Sequence, residues 1–186
     1  VGPLITRKLI ELGHDVKIIC REASDTSLIS DLPLEKHFGD VTDLESLKNA
    51  VADVDAVFHL AGVIGYSKAM RPLMEKVNVD GTKNIVEACK TPNVKRLIYM
   101  SSVVAIGSSF DGQKPLDENS PYNVHHLNLG YFETKHRAEQ IVKEACDQGL
   151  LDAVILNPST IYGPGDARKG SRKTQLKVAK GTFPFY

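Results

Sequence analysis

Four short apolar runs without polar alternation constrain this chain more than any other feature. They lie at residues 16–20, 56–60, 94–100 and 151–156, and stretches of helical periodicity separate them. A half-exposed strand alternates between apolar and polar residues, whereas a strand covered on both faces reads as a continuous apolar run. The helical stretches are just as legible. Leu4, Ile5, Leu9 and Leu12 make one stripe that opens on Pro3 and is stopped by Gly13. Leu44, Leu47, Ala50 and Val51 make a second, with Thr42 or Asp43 as its cap. From about Pro72, the positions Leu73, Val77, Ile85 and Ala88 outline one long helix. Ala138, Ile141, Val142 and Ala145 mark the inward face of another over 131–145. A short strand is expected at 36–38, and residues 21–33 and 107–130 read as irregular. Strands and helices in alternation predict an α/β fold. Its form is a doubly wound parallel sheet with right-handed crossovers and helices on both faces.

With 186 residues and no internal repeat or linker, residues 1–186 read as a single domain. Lys plus Arg and Asp plus Glu are 23 each, so no charge excess points to nucleic acid. No apolar run approaches the roughly 20 residues of a membrane-spanning helix. Cys20, Cys89 and Cys146 are odd in number and far apart, which suits reduced thiols and an expected cytoplasmic location.

A doubly wound nucleotide-binding fold opens with a central strand, a glycine turn and a helix. Here the helix comes first, and Gly2 reads as the last glycine of such a turn. The expectation is that the central strand lies upstream of Val1. Residues 159–186 are expected to lead into a further, substrate-binding portion.

Several residue groups carry chemistry. Tyr131 and Lys135 stand four apart on a predicted helix, one turn from each other on one face. An ammonium there favours phenolate and is expected to lower the tyrosine pKa, so that the phenol can exchange a proton with a carbonyl or carbinol oxygen. Ser101-Ser102 follow a buried strand, where ligands of open α/β sheets sit. Leu60-Ala61-Gly62 end another strand, and Gly62 permits close backbone approach. Asp40, in Gly39-Asp40-Val41, is placed to accept from an adenine amino group. Arg21 follows the strand ending at Cys20, where an acid would bind a ribose 2′-hydroxyl and an arginine accommodates a 2′-phosphate. His125-His126 has no further ligands beside it and reads as a solvated loop, so no metal site is expected. Arg168, Lys169, Arg172 and Lys173 read the same way, as a basic loop.

In order, Val1-Gly2, His59-Leu60-Ala61-Gly62, Asn78-Val79-Asp80-Gly81-Thr82, Ser101-Ser102, Tyr131-x-x-x-Lys135 and Asn157-Pro158-Ser159-Thr160-Ile161-Tyr162-Gly163-Pro164-Gly165-Asp166 span nearly the whole chain. This series resembles the extended short-chain dehydrogenase/reductase superfamily, the NAD-dependent epimerase/dehydratase group, with a Rossmann-type NAD(P)-binding domain. Ser102-Val103-Val104 stands where sugar-nucleotide dehydratases carry Thr-Asp-Glu, and Ile106 where many epimerases carry Tyr. The chain looks most like the dihydroflavonol-reductase-like members.

The resemblance implies roles residue by residue. Tyr131 would be the acid/base, Lys135 the group that binds the nicotinamide ribose and tunes it, and Ser102 the serine that orients the substrate oxygen. Asn78 would be the helix asparagine near the active site. Gly2, Arg21, Asp40, Val41, Leu60, Ala61, Gly62, Pro158 and Ile161 would line the cofactor. The implied activity is an oxidoreductase acting on a carbonyl or secondary alcohol of a small molecule. Its implied cofactor is NADP, with NAD as the alternative, and its implied assembly a homodimer through the helices near 72–90 and 131–147. A nucleotide-sugar epimerase and a non-catalytic NAD(P)-binding regulator are the competing readings.

Overall fold

The computed structural model describes residues 1–110, 112, 114–164 and 176–182. The chain runs α1 (Gly2–Glu11), β1 (Lys17–Cys20), β2 (Glu35–Phe38), α2 (Leu44–Val51), β3 (Ala56–His59), α3 (Arg71–Met74), α4 (Gly81–Cys89), β4 (Arg96–Met100), α5 (Gly130–Asp147) and β5 (Ala153–Leu156). Asp43, not Thr42, caps α2: its carboxylate accepts from the Glu45 and Ser46 N–H groups. Gly13 ends α1 with φ 84°, a left-handed conformation that glycine adopts without strain.

Every strand pairing is parallel. Lys17 pairs with Glu35, Ala56 with Arg96, and Leu97 with Ala153. The sheet is in two parts, β1–β2 and β3–β4–β5, and no pairing joins β1 to β3 among the described residues. Parallel connection brings the carboxyl end of each strand to one edge of its sheet.

Residues two apart on a strand share a face. Leu97 and Tyr99 therefore point together into the core, where Leu47 and Val51 of α2, Ile85, Ala88 and Cys89 of α4, and Ala138 and Val142 of α5 meet them. The other face of β3–β4–β5 carries the alternate residues. Phe58, Val154 and Leu156 are exposed there. Helix α1 leans on the segment after β1, where Arg7 donates to Leu28 O at 3.1 Å and pairs with Asp31 at 2.8 Å.

The long helix expected after Pro72 is different. Residues Glu75–Asp80 between α3 and α4 form a π-helical turn. A π turn accommodates an extra residue in the helix and turns a side chain out of the regular ladder. Here that side chain is Asn78. Single 3-10 turns at 27–29 and 125–127 lie in segments read as irregular.

Candidate active site

Helix α5 starts at Gly130, so Tyr131 stands in its first turn and Lys135 one turn further on. Ser102, directly after β4, is half-buried; its Oγ accepts from Val104 N at 3.5 Å, and its hydroxyl acts on the Tyr131 phenol to lower its pKa. The β4–β5 ladder continues past the strands: Ser101 N donates to Leu156 O at 2.8 Å and Val103 N to Pro158 O at 3.1 Å. Ser102 is thus held by backbone on both sides.

Lys135 is 5% exposed. Its ammonium donates to Met100 O at 2.7 Å and to the Tyr99 hydroxyl at 3.1 Å, and it lies 4.7 Å from the centre of the Tyr99 ring. Burial brings its pKa down to about 8, with Glu139 acting in the opposite direction. The expectation that Lys135 lowers the Tyr131 pKa is corrected by this geometry. Burial raises Tyr131, and the hydrogen bond with Ser102 works against that rise. The ammonium is turned toward the β4 carbonyl and not toward the phenol.

Asn78 is buried and fully engaged. Its Oδ1 accepts from Val63 N at 2.7 Å, and its Nδ2 donates to Val63 O at 2.9 Å and to Thr134 Oγ1 at 3.2 Å. Thr134 in turn donates to Tyr131 O at 3.0 Å. The asparagine therefore ties the loop after β3 to the first turn of α5.

Four residues join this layer that the motifs alone do not single out for a role: His59, Thr82, Tyr99 and Glu139. His59 is 3% exposed, and burial lowers its pKa to about 3. Its Nε2 lies 2.9 Å from Thr82 Oγ1, whose hydrogen goes to Asn78 O at 2.6 Å. Neutral His59 therefore carries its proton on Nε2 and donates to Thr82. Tyr99 stacks on His59 with ring centres 5.3 Å apart. A signal for Tyr99 and Glu139 is present in the sequence: each is a polar group on an otherwise apolar inward face.

The residues expected to line a cofactor lie along the same carboxyl edge. Arg21 follows β1 and is exposed; its charge lowers the pKa of Asp40 after β2, although the Thr42 N–H is the larger influence. Asp40 Oδ1 accepts from Thr42 N and Thr42 Oγ1, both at 2.9 Å. The Val41 side chain is turned inward instead: a Cβ on Gly81 would come within 2.8 Å of it, and Asn84 donates to its carbonyl at 2.9 Å. Ala61 and Gly62 are exposed, Leu60 and Pro158 are half-buried, and Ile161 is 45% exposed. A Cβ on Gly2 would meet nothing closer than Leu60 Cδ1 at 3.8 Å, and one on Gly62 nothing closer than Asn78 Oδ1 at 3.5 Å. Neither position has a positive φ. The described protein atoms therefore impose no need for glycine there, and the small residues leave an open approach for a ligand. Among the described residues, no three His, Cys, Asp or Glu side chains converge on a metal position. His125 instead packs edge-on against Tyr122, ring centres 4.5 Å apart. The basic cluster Arg168, Lys169, Arg172 and Lys173 lies outside the described residues.

Residues 1–183 match the profile of the 3-beta hydroxysteroid dehydrogenase/isomerase family. A Synechocystis protein named "Putative dihydroflavonol 4-reductase" is 34% identical over 168 residues, covering 90% of this chain and 48% of the relative. The crystal structure of gox2253 superposes with a TM-score of 0.88 at 35% identity, covering 100% of this chain and 56% of that one. The UDP-glucose 4-epimerase of Thermus thermophilus, solved with NAD, shares the fold at a TM-score of 0.80 and 23% identity, over 97% of this chain and 60% of that one. The chain spans about half the length of the curated relatives it matches.

Proposed function

Because the chain belongs to the 3-beta hydroxysteroid dehydrogenase/isomerase family, we propose that the whole protein is an NAD(P)-dependent oxidoreductase interconverting a ketone and a secondary alcohol on a cyclic small molecule. The observation that carries this reading is the docking of the first turns of α5 on the end of β4: Lys135 Nζ donates to Met100 O at 2.7 Å and His136 Nδ1 lies 2.9 Å from Ala105 O, on either side of Ser102, with Tyr131 one turn before Lys135. A bound nicotinamide supplies the hydride. The chain's own residues handle the oxygen. Ser102 donates to the carbonyl oxygen and orients it. Tyr131, kept protonated by burial, delivers its proton to that oxygen as charge develops there, and takes it back in the reverse direction. Lys135 adds positive charge at the strand end, where a phenolate left by proton transfer is stabilised. The open edge at Gly2, Leu60, Ala61, Gly62, Pro158 and Ile161 supports the placement of the dinucleotide. Arg21 supports NADP over NAD, because a guanidinium there meets a 2′-phosphate as a charged, directional partner. A homodimer through α3–α4 and α5 belongs to the same reading, and light scattering on the full-length protein checks it.

The test follows absorbance of NADPH and NADH with the full-length protein and a panel of cyclic ketones headed by a steroid 3-ketone. Tyr131→Phe is expected to lose about 10²- to 10⁴-fold in rate while holding NADPH affinity within about twofold. A near-normal rate overturns the assignment. Arg21→Ala is expected to shift the NADPH/NADH affinity ratio by about tenfold or more; an unchanged ratio removes the preference for NADP. An epimerase would show substrate conversion with no net consumption of cofactor.

A further inference from the structure

A buried carboxylate at the ends of β4 and β5 has no role in the mechanism above. Glu139 is 2% exposed and sits on α5 one turn after Lys135. Its Oε2 accepts from Ser101 Oγ at 2.6 Å and from Asn157 Nδ2 at 2.7 Å, and its Oε1 faces Lys143 Nζ at 3.1 Å. The same Asn157 amide also donates to Ser102 O at 3.2 Å. One side chain thus gathers the end of β4, the end of β5 and the helix that carries Tyr131. A buried carboxylate is retained at a large desolvation cost, and a merely apolar contact would hold three elements together without it.

Resting on the Ser102–Tyr131–Lys135 reading, we propose that Glu139 is the positioning residue of this site: it sets Ser102 against Tyr131 through Ser101 and Asn157, and it supplies the negative charge that faces Lys135. The groups around Lys135 support this one by one. From β4 come the Met100 carbonyl and the Tyr99 ring and hydroxyl, neither of them charged. From β3 comes His59, which burial keeps neutral. Tyr131, on the same helix, is held protonated. Among the described residues Glu139 is the one anion that acts on Lys135, and it opposes the burial that disfavours the ammonium. Lys143 on the solvent side, with its side chain 36% exposed, balances the carboxylate from without.

Glu139→Gln separates the two tasks. Its amide oxygen still accepts from Ser101 and Asn157, but the charge is gone. Glu139→Ala removes both. The full-length protein is made with lysine labelled by ¹³C at the ε-carbon, and the Lys135 signal, identified by its loss in Lys135→Met, is titrated with pH. NADPH affinity is read by fluorescence, and kcat and KM with the steroid 3-ketone are followed against pH. In Glu139→Gln, Lys135 is expected to titrate at lower pH than in the wild type. The alkaline limb of kcat moves down with it, because the ammonium is the active form, while NADPH affinity stays within about twofold. Glu139→Ala is expected to lose a further tenfold or more in kcat, as misplaced reacting groups do. If the Lys135 titration is unmoved in Glu139→Gln, or if kcat falls equally at every pH in step with the unfolded fraction, the proposal is overturned. Should Glu139→Ala fail to fold, the glutamine variant decides alone. Failure of the site reading itself shows elsewhere, as full turnover in Tyr131→Phe, and leaves the Lys135 titration unaffected.

Discussion

Lys135→Met is expected to change how stability depends on pH, and the size of the change follows from burial. In the folded protein Lys135 titrates near 8, below its ordinary 10.5. A pKa difference between folded and unfolded states is a stability difference of about 1.4 kcal/mol per pH unit. The sign is fixed by which state holds the proton. Between pH 8 and 10.5 the unfolded lysine is protonated and the folded one is not. The unfolded state therefore binds more protons, and wild-type stability from this group rises with pH across that window. Below pH 8 both states are protonated and the folded state carries the whole cost of a buried ammonium, about 3 kcal/mol. Lys135→Met has no such group. Urea unfolding of both proteins at pH 7 to 10.5 and constant ionic strength should show the wild type gaining about 3 kcal/mol on the variant between pH 8 and 10.5. The lost hydrogen bonds to Met100 O and Tyr99 shift the absolute difference but not its slope. A difference flat within about 0.5 kcal/mol across the window would refute the reasoning.

Asn78→Ala leaves the Val63 N–H and C=O without their partner; a loss of about 2–3 kcal/mol in urea unfolding is expected, with faster amide exchange at Val63. Leu97→Ala opens a cavity at a fully buried core position; the expected cost is about 2–5 kcal/mol by the same measurement. His59 titrates near 3 when folded against an ordinary 6.5, so stability present above pH 6.5 should fall by about 1.4 kcal/mol per unit as pH drops toward 3. His59→Gln should flatten that dependence, and an unchanged acid limb in urea titrations counts against a buried neutral imidazole.

The strands β1, β3, β4 and β5 are legible in the sequence because burial dictates their composition, and α5 because its apolar face keeps a helical period. The long helix after Pro72 is legible as a helix but not as an interrupted one. Nothing in Glu75–Asp80 breaks the pattern of apolar residues, and the bonds that the π turn's Asn78 makes are to Val63, fifteen residues away in the chain. Ser102, Tyr131 and Lys135 stand out as a motif, and the fold docks the start of α5, which carries Tyr131 and Lys135, on the end of β4 just before Ser102. The direction of the Lys135 ammonium is not legible, because the carbonyl it meets belongs to a strand far away in the chain. Glu139 leaves a signal, a charge on an otherwise apolar inward face, but not its role. A charged residue on an inward helical face looks like a solvated one until the elements that cover it are in place.

The parallel pairings also set an order of assembly. Pairing Lys17 with Glu35 closes a loop of about 18 residues, pairing Ala56 with Arg96 one of about 40, and pairing Leu97 with Ala153 one of about 56. Closure entropy grows with loop length, by about 0.6 kcal/mol for each doubling, and non-local pairing is slow. β1–β2 can therefore form early, and on a ribosome long before residue 153 has emerged. The join between β4 and β5 closes the longest of the three loops, and Ser102 is tied into that join through Pro158, Asn157 and Glu139. The segment holding Ser102 thus depends on the contact that closes the longest of these three loops.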